Sequence, residues 1–347
     1  MTRSNFSRKT KILIPIIIFI VSFVFVDLLA GYFYAKKIRL YRNVNFFYHH
    51  ELVKNVSNLN VTWAKQDYKI STNSLGFRDK NNREIPLKND IHRIILMGDS
   101  FTESVGVNWE NSFPGILSEN LIKKNIEILN AANIGYSPKI YYLKTKYLIE
   151  NVKLKFDEII VFLDISDLDN ELFYEQFEPE NHNFFKKFIN QYSKYSFLVR
   201  KFLYSKLSLN KFGIPYGADL KKNQKYLSTG RPQTWDITDP RVQKAFQLAF
   251  MNTSKLVKLC KDNNIKVRLV VYPWQFTITN KDHLHDLLWK KFAENHNVYF
   301  LSLFSEFFDR CDFQGKDCDN FFTPNDQHFS FEGHKFVAKL LLDKISF

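Results

Sequence analysis

From about residue 91 onward, hydrophobic and polar positions fall into a repeating pattern. Short apolar runs occupy 93–97 (RIILM), 126–130 (IEILN), 158–163 (EIIVFL), 266–272 (KVRLVVY) and 298–301 (VYFL). Each is near continuous in hydrophobicity, as expected of strands buried on both faces. Between them, segments around 112–124, 138–151, 240–263, 282–295 and 331–345 carry helical spacing. Strands alternating with helices predict a parallel sheet covered on both sides, a flavodoxin-like doubly wound α/β domain over 91–347.

Residues 170–236 interrupt the alternation with aromatic and basic helical stretches. A loop punctuated by Gly213, Pro215, Gly217, Gly230 and Pro232 follows. This reads as an insertion at the carboxyl edge of the sheet, its basic aromatic helix packing on its own domain rather than on a membrane surface. Residues 36–90 are polar and irregular, with alternation at Tyr68-Lys69-Ile70-Ser71 and a turn at Leu75-Gly76-Phe77. They are expected to form a tether and a small β-rich lead-in.

A short basic segment, 1–11, precedes an apolar stretch over 12–35 whose one charged residue is Asp27. About twenty helical residues rising about 1.5 Å each cross a hydrocarbon core of about 30 Å. Pro15 is expected in the opening turn, where its missing N–H does little harm. Asp27 costs about 2.5–3.5 kcal/mol at mid-bilayer and less near an interface. A cleaved signal peptide would have a shorter apolar stretch and a small-x-small site, whereas Leu28 precedes Ala30 here. The expectation is one uncleaved transmembrane signal anchor. Four basic residues on each side leave its orientation evenly matched by charge.

The formal net charge of +13 changes little once located. Lys and Arg total 49 against 36 acidic residues. Without Asp27 and the eight basic residues flanking the apolar run, 41 basic residues face 35 acidic ones. Much of the excess belongs to a membrane junction, and nucleic acid is not indicated. Three cysteines cannot build a disulfide scaffold or a four-cysteine zinc site.

Candidate chemistry sits where the first apolar run enters Gly98-Asp99-Ser100-Phe101-Thr102-Glu103. A serine at a strand's carboxyl end lies where doubly wound sheets place ligands. The sequence is neither a nucleophile elbow nor a P-loop. Near the far end, Asn325-Asp326-Gln327-His328 precedes Phe331-Glu332-Gly333-His334 and a final amphipathic helix. Serine chemistry needs a base, and that base needs an orienting carboxylate. His328 and Asp326 fit those roles, whereas His334 reads as structural. Backbone N–H groups of Ser100 and Gly135 are candidate oxyanion donors, Gly135 lying just past the second strand.

On these blocks the chain resembles the SGNH (GDSL-type) hydrolase superfamily over roughly residues 90–347. Gly98-Asp99-Ser100, Gly135, and Asp326 with His328 match its first, second and last blocks. Thr72-Asn73-Ser74-Leu75-Gly76-Phe77-Arg78 is similar to the lead-in of membrane-anchored bacterial members. The resemblance implies Ser100 as nucleophile, His328 as general base and then acid, Asp326 as its orienter, and an oxyanion hole at Ser100 and Gly135. The family's third block, Gly-x-Asn-Asp, stands here as Asp164-Ile165-Ser166-Asp167. Ser166 thus occupies the place of the asparagine donor, with Asn170 a weaker candidate one turn on. The Asp-x-His spacing resembles the periplasmic polysaccharide O-acetylation branch.

Together, the apolar stretch and the resemblance imply a membrane-anchored serine esterase or O-acyltransferase of the bacterial inner membrane, its catalytic domain periplasmic or extracellular. Its expected partners are an acylated carbohydrate or lipid substrate and envelope polysaccharide-modification proteins; no cofactor or metal is called for. The alternative is a catalytically weak domain of the same fold that binds glycan or scaffolds an envelope complex. Cys311 and Cys318 bracket a short loop and form either a disulfide or two free thiols. Cys260 reads as a buried small hydrophobe. His283 and His285 point to different helix faces, and Asp317, Asp319 and Asp326 lack calcium-loop spacing. His49-His50 reads as solvated surface.

Overall fold

A computed structural model describes residues 8–37, 42–88, 90–179, 192, 195–202, 237–279, 281–311, 318–324 and 326–347. They form two compact units, residues 1–44 with 180–214, and residues 45–179 with 215–347.

In the first unit, helix α1 (Arg8–Lys37) includes a stretch, Lys9–Phe33, long and apolar enough to cross a membrane. Its large apolar side chains from Ile12 to Val26 are exposed all round. The helix starts at Arg8, so Pro15 lies inside it and not in its opening turn. The basic residues Arg8, Lys9 and Lys11 extend the helix ahead of the apolar run. Asp27 is buried and satisfied: its carboxylate accepts the Leu198 N–H at 2.8 Å and the Tyr192 hydroxyl at 3.3 Å. Gly31 allows this approach, because a Cβ there would sit 1.9 Å from the Tyr195 carbonyl oxygen. Residues 195–202, including α6 (Phe197–Phe202), therefore pack on α1. The Asp27 carboxylate takes both of its donors from this stretch of the chain, at Tyr192 and Leu198. Most of the expected insertion at about 170–236 lies outside the described residues.

The second unit is built on an eight-stranded sheet. Its strands are β1 (Leu59–Trp63), β2 (Gln66–Thr72), β3 (Arg78–Asp79), β4 (His92–Met97), β5 (Ile126–Asn130), β6 (Glu158–Leu163), β7 (Lys266–Val271) and β8 (Tyr299–Ser302), in the order β8-β7-β6-β4-β5-β3-β2-β1. The five strands β4 to β8 are parallel. Their order is that of flavodoxin-like sheets, with the topological switch between β4 and β6. β4 pairs with β5 at Ile94↔Ile128 and with β6 at Ile94↔Glu158. Ile94 and Leu96 join Phe113, Leu117, Val337 and Leu341 in one core. The alternate Ile95 and Met97 face the other way and are equally buried.

Helices α3 (Phe113–Leu121) and α8 (Phe331–Lys344) pack together, as do α4 (Pro138–Tyr147), α5 (Ser166–Tyr174) and α7 (Pro240–Asp262). Ser112 and Ser330 cap α3 and α8 by accepting the N–H groups of Gly115 and Gly333.

Residues 36–90, expected to hold a tether and lead-in, contribute β1, β2 and β3 to this same sheet, antiparallel to one another and to β5. Arg78 in β3 is fully buried. Its guanidinium donates to the carbonyls of Glu103 at 2.5 Å, Ser104, and Val107 at 2.5 Å, tying down the loop after α2 (Ser100–Glu103). Arg78→Ala would strand three carbonyls, at a cost of roughly 3 kcal/mol or more. A urea-unfolding midpoint unchanged in Arg78→Ala would contradict this role.

Candidate active site

The first half of the site is a tight exit from β4. At Gly98 a Cβ would lie 2.3 Å from Thr102 Oγ1, so glycine lets the chain turn directly into α2. Asp99 caps that helix by accepting the Phe101 N–H at 2.9 Å. Ser100 thereby stands at the carboxyl edge of β4, beside β6 at the switch point.

The second half comes from the turn before α8. A bridge pairs Phe322 with Phe329, and within it the Thr323 N–H donates to the His328 carbonyl at 2.8 Å. Asp326 N–H donates to the Thr323 carbonyl at 2.9 Å. The Asp-x-His spacing lets one oxygen, Asp326 Oδ1, accept both the His328 backbone N–H at 2.8 Å and the His328 ring nitrogen Nδ1 in a short contact. The opposite ring nitrogen, Nε2, is 2.7 Å from Ser100 Oγ. The structure thus brings Ser100, His328 and Asp326 into one chain of hydrogen bonds. Burial alone would raise the Asp326 carboxyl, but its hydrogen bonds to the His328 ring and His328's charge hold it below its usual range. Asn325 lies outside the described residues.

The proposed oxyanion donors are less uniform. Gly135 adopts φ +72° in a turn closed by Tyr136 N–H to Asn133 O, with the Tyr174 hydroxyl donating to its carbonyl at 2.8 Å. Ser166 starts α5. Its hydroxyl lies 2.6 Å from Asp164 Oδ1 and 3.4 Å from Asp99 Oδ2, so its proton is engaged by the Asp164 carboxylate. Asn170 is half-buried, one turn further along the same helix.

Sequence reasoning missed the acidic network behind the serine. Asp99, Asp164 and Asp167 are all buried. Tyr272 Oη lies 3.2 Å from Asp99 and 3.4 Å from Asp164, the Trp274 indole donates to Asp164 at 2.9 Å, and the Tyr141 hydroxyl donates to Asp167 at 2.7 Å. Burial first, and then the charge of Asp164, push Asp99 and Asp167 well above the usual carboxylate range. The upward shifts of Asp99 and Asp167 come from burial and from carboxyls brought together in space, so no residue spacing announces them.

Two lead-in features also reach the site. Contrary to the expectation of solvated surface, His49 and His50 are buried. His50 Nε2 is 2.7 Å from the Ile134 carbonyl and the Tyr136 hydroxyl donates to the His50 carbonyl, so they brace the glycine turn. Below that turn Lys144 is enclosed by the rings of Tyr48, Phe77 and Tyr136 and donates to Ala131 O at 2.6 Å; burial pulls its pKa down to about 7. The other feature is Trp63 at the end of β1, whose indole donates to Asp326 Oδ2 at 3.1 Å. The alternation Leu59, Val61, Trp63 was the available signal for an inward-facing strand.

Among the remaining candidates, Cys311 and Cys318 are disulfide-bonded, and burial pushes the Cys260 thiol up to about 12. His285 is buried and pulled down to about 3 by that burial, while His283 lies 3.6 Å from Asp286. Asp319 accepts from Gln275 at 2.8 Å, and Asp317 lies outside the described residues. Among the described residues no three His, Cys, Asp or Glu side chains converge as metal ligands.

No family model and no curated protein matches the sequence. Solved structures with a similar chain path include the acetyl xylan esterase AlAXEase, at 15% identity over 73% of this chain and 100% of that one, TM-score 0.42. A psychrotrophic esterase from Pseudoalteromonas sp. is similar at 13% identity, 73% and 95% coverage, and TM-score 0.41. A GDSL-like lipase from Bacteroides thetaiotaomicron is similar at 13% identity, 72% and 86% coverage, and TM-score 0.38.

The acidic network makes a pH prediction. An unfolded Asp titrates near about 3.9, below the raised folded values, so the folded chain holds protons that the unfolded chain releases. This stabilisation is complete below about pH 4 and is lost as pH rises through the folded values. Asp167→Asn removes one such group. Its melting temperature should decline less than that of the wild type between about pH 5 and pH 8; parallel declines would contradict the assignment.

Proposed function

We propose that this protein is a membrane-anchored serine enzyme of ester chemistry, acting on an O-acylated glycan or lipid at the outer face of a bacterial inner membrane. The observation that carries the reading is the 2.7 Å contact of Ser100 Oγ with His328 Nε2, whose other nitrogen is held by Asp326. In this reading His328 Nε2 takes the Ser100 proton as Oγ attacks the ester carbonyl. The imidazolium formed is stabilised by ionised Asp326. His328 then returns the proton to the leaving alcohol oxygen, leaving an acyl group on Ser100. Water resolves the acyl-enzyme in a hydrolase, and a sugar hydroxyl in a transferase.

The N–H groups of Ser100 and Gly135 supply the oxyanion donors, each worth about 10²–10³ in rate. Ser166 joins them only if its hydroxyl turns away from Asp164. That engagement is the feature favouring the second reading, a glycan-binding or scaffolding domain with little turnover. Support for the anchor is α1, and an exported domain agrees with the bonded Cys311 and Cys318. Envelope polysaccharide-modification proteins are the partners this reading proposes.

A fluorophosphonate probe should label the full-length protein. Labelling should vanish in Ser100→Ala and fall by about 10³-fold or more in His328→Ala. An unlabelled, well-folded wild type would favour the scaffold. Deleting residues 1–35 should move the protein from the membrane fraction to the soluble fraction with labelling retained; a truncated form still sedimenting with membranes would contradict the anchor.

A further inference from the structure

The triad carboxylate has two oxygens, and they are held by different parts of the chain. Oδ1 serves His328, through both its ring and its backbone N–H. Oδ2 accepts from the Trp63 indole at 3.1 Å, and Trp63 belongs to the lead-in hairpin 263 residues away in sequence. The indole nitrogen is also 3.3 Å from His328 Nδ1. While Nδ1 keeps its N–H and donates it to Asp326 Oδ1, it has no lone pair to offer the indole, so the bond that matters is the one to the carboxylate. The two rings meet edge to face at 5.1 Å, and a Cβ at Gly106 would lie 3.8 Å from the indole's Cδ1.

The hairpin that delivers Trp63 is strained at its tip. Trp63 pairs with Gln66, and the two residues between them, Ala64 and Lys65, hold φ of +45° and +69°. Two-residue hairpin turns with positive φ at both positions normally carry Asn-Gly or similar pairs, because side chains at such angles cost energy. Neither residue here has that permissive chemistry. A tight, left-handed tip kept in spite of its side chains points to the residue it aims, and that residue is Trp63.

We propose that Trp63 is a positioning residue for the reaction, its indole N–H fixing the second oxygen of Asp326 so that the first stays aimed at His328. The proposal rests on the reading of Ser100 as nucleophile and adds the lead-in hairpin to the working site. It separates two duties of Asp326: one oxygen orients the base, the other is moored to the far end of the sheet. The mooring also counts among the causes holding Asp326 ionised, after the stronger ones from His328 and against the opposing effect of burial. His328 is the one ionisable side chain hydrogen-bonded to Asp326 among the described residues.

The test uses the full-length protein in detergent, with p-nitrophenyl acetate turnover and fluorophosphonate labelling as readouts. Trp63→Phe keeps a ring and removes the N–H. It should lower kcat by about 10- to 100-fold, the size of one hydrogen bond to a charged group, and change KM by less than about twofold. Its acid-side loss of activity should begin at higher pH than in the wild type, because one cause lowering the Asp326 carboxyl is gone. Trp63→His, which restores a ring N–H, should regain part of the rate. In an Asp326→Asn background, Trp63→Phe should cost much less than it does alone.

The inference is overturned by wild-type kcat and pH profile in Trp63→Phe, or by an equal penalty in the Asp326→Asn background. It is also overturned if Trp63→Phe and Trp63→His both melt far below the wild type, which would make the indole a packing residue. A wild type that fails to label sinks the enzymatic reading itself, whereas a labelled wild type with an indifferent Trp63→Phe sinks this inference alone.

Discussion

The contact between Ser100 and His328 joins residues 228 positions apart, and the second unit is arranged so that this closure is met by packing. Phe329, next to His328, is fully buried between Phe101, Tyr272, Phe307 and Phe322, at centroid distances of 4.9 to 5.7 Å. Phe101, next to Ser100, packs tilted against the His328 ring, with centroids 4.7 Å apart. Ser100 and His328 are each followed by a phenylalanine, and the two phenylalanines touch. Their shared core sets the distance between the hydroxyl and the imidazole, and the entropy of bringing chain ends together is met by apolar burial elsewhere. The bonded Cys311 and Cys318 join the same core just ahead of the Asp326 turn.

Around this contact the carboxyls divide into two populations. Asp326 faces the His328 ring, which holds its carboxyl below the usual range. Behind Ser100, Asp99 and Asp167 share a buried network with Asp164 whose partners are hydroxyls, an indole and backbone N–H groups. Burial raises those two, and repulsion within the network reinforces it. One fold edge thus holds a carboxyl pulled down on one side of the serine and carboxyls pushed up on the other, the kind of division by which acid and base roles are separated.

The parallel core was legible because strands buried on both faces are written as unbroken apolar runs, and every strand from β4 to β8 begins and ends within one residue of its run. β8 sits one residue later than its run, since Ser302 completes the pairing with Val271. Ser100, Asp326 and His328 were legible because glycine and turn residues mark their segments. The lead-in was only half legible. Tyr68 and Ile70 showed alternation, but β1 is short and polar at Asn60 and Thr62, and β3 has two residues. His49 and His50 were unreadable as interior groups because polarity argues for surface. Their burial comes from a φ of +74° at His49 and from tertiary partners on the glycine turn. Asp164 and Ser166 could be placed by counting along the third strand, yet their bond to each other depends on side-chain direction.

The pairing of β1 with β2 runs one to one from Leu59↔Ile70 to Trp63↔Gln66 without a bulge. Successive side chains on a strand alternate between faces, so this ladder works as a ruler whose last mark is the indole. Adding or removing a single residue between Leu59 and Trp63 would turn the ring to the opposite face, and a slip of two would carry it about 7 Å along the strand. Loops elsewhere in the domain can lengthen with modest thermodynamic effect. This hairpin has no such latitude, because its residue count is itself a coordinate of the site.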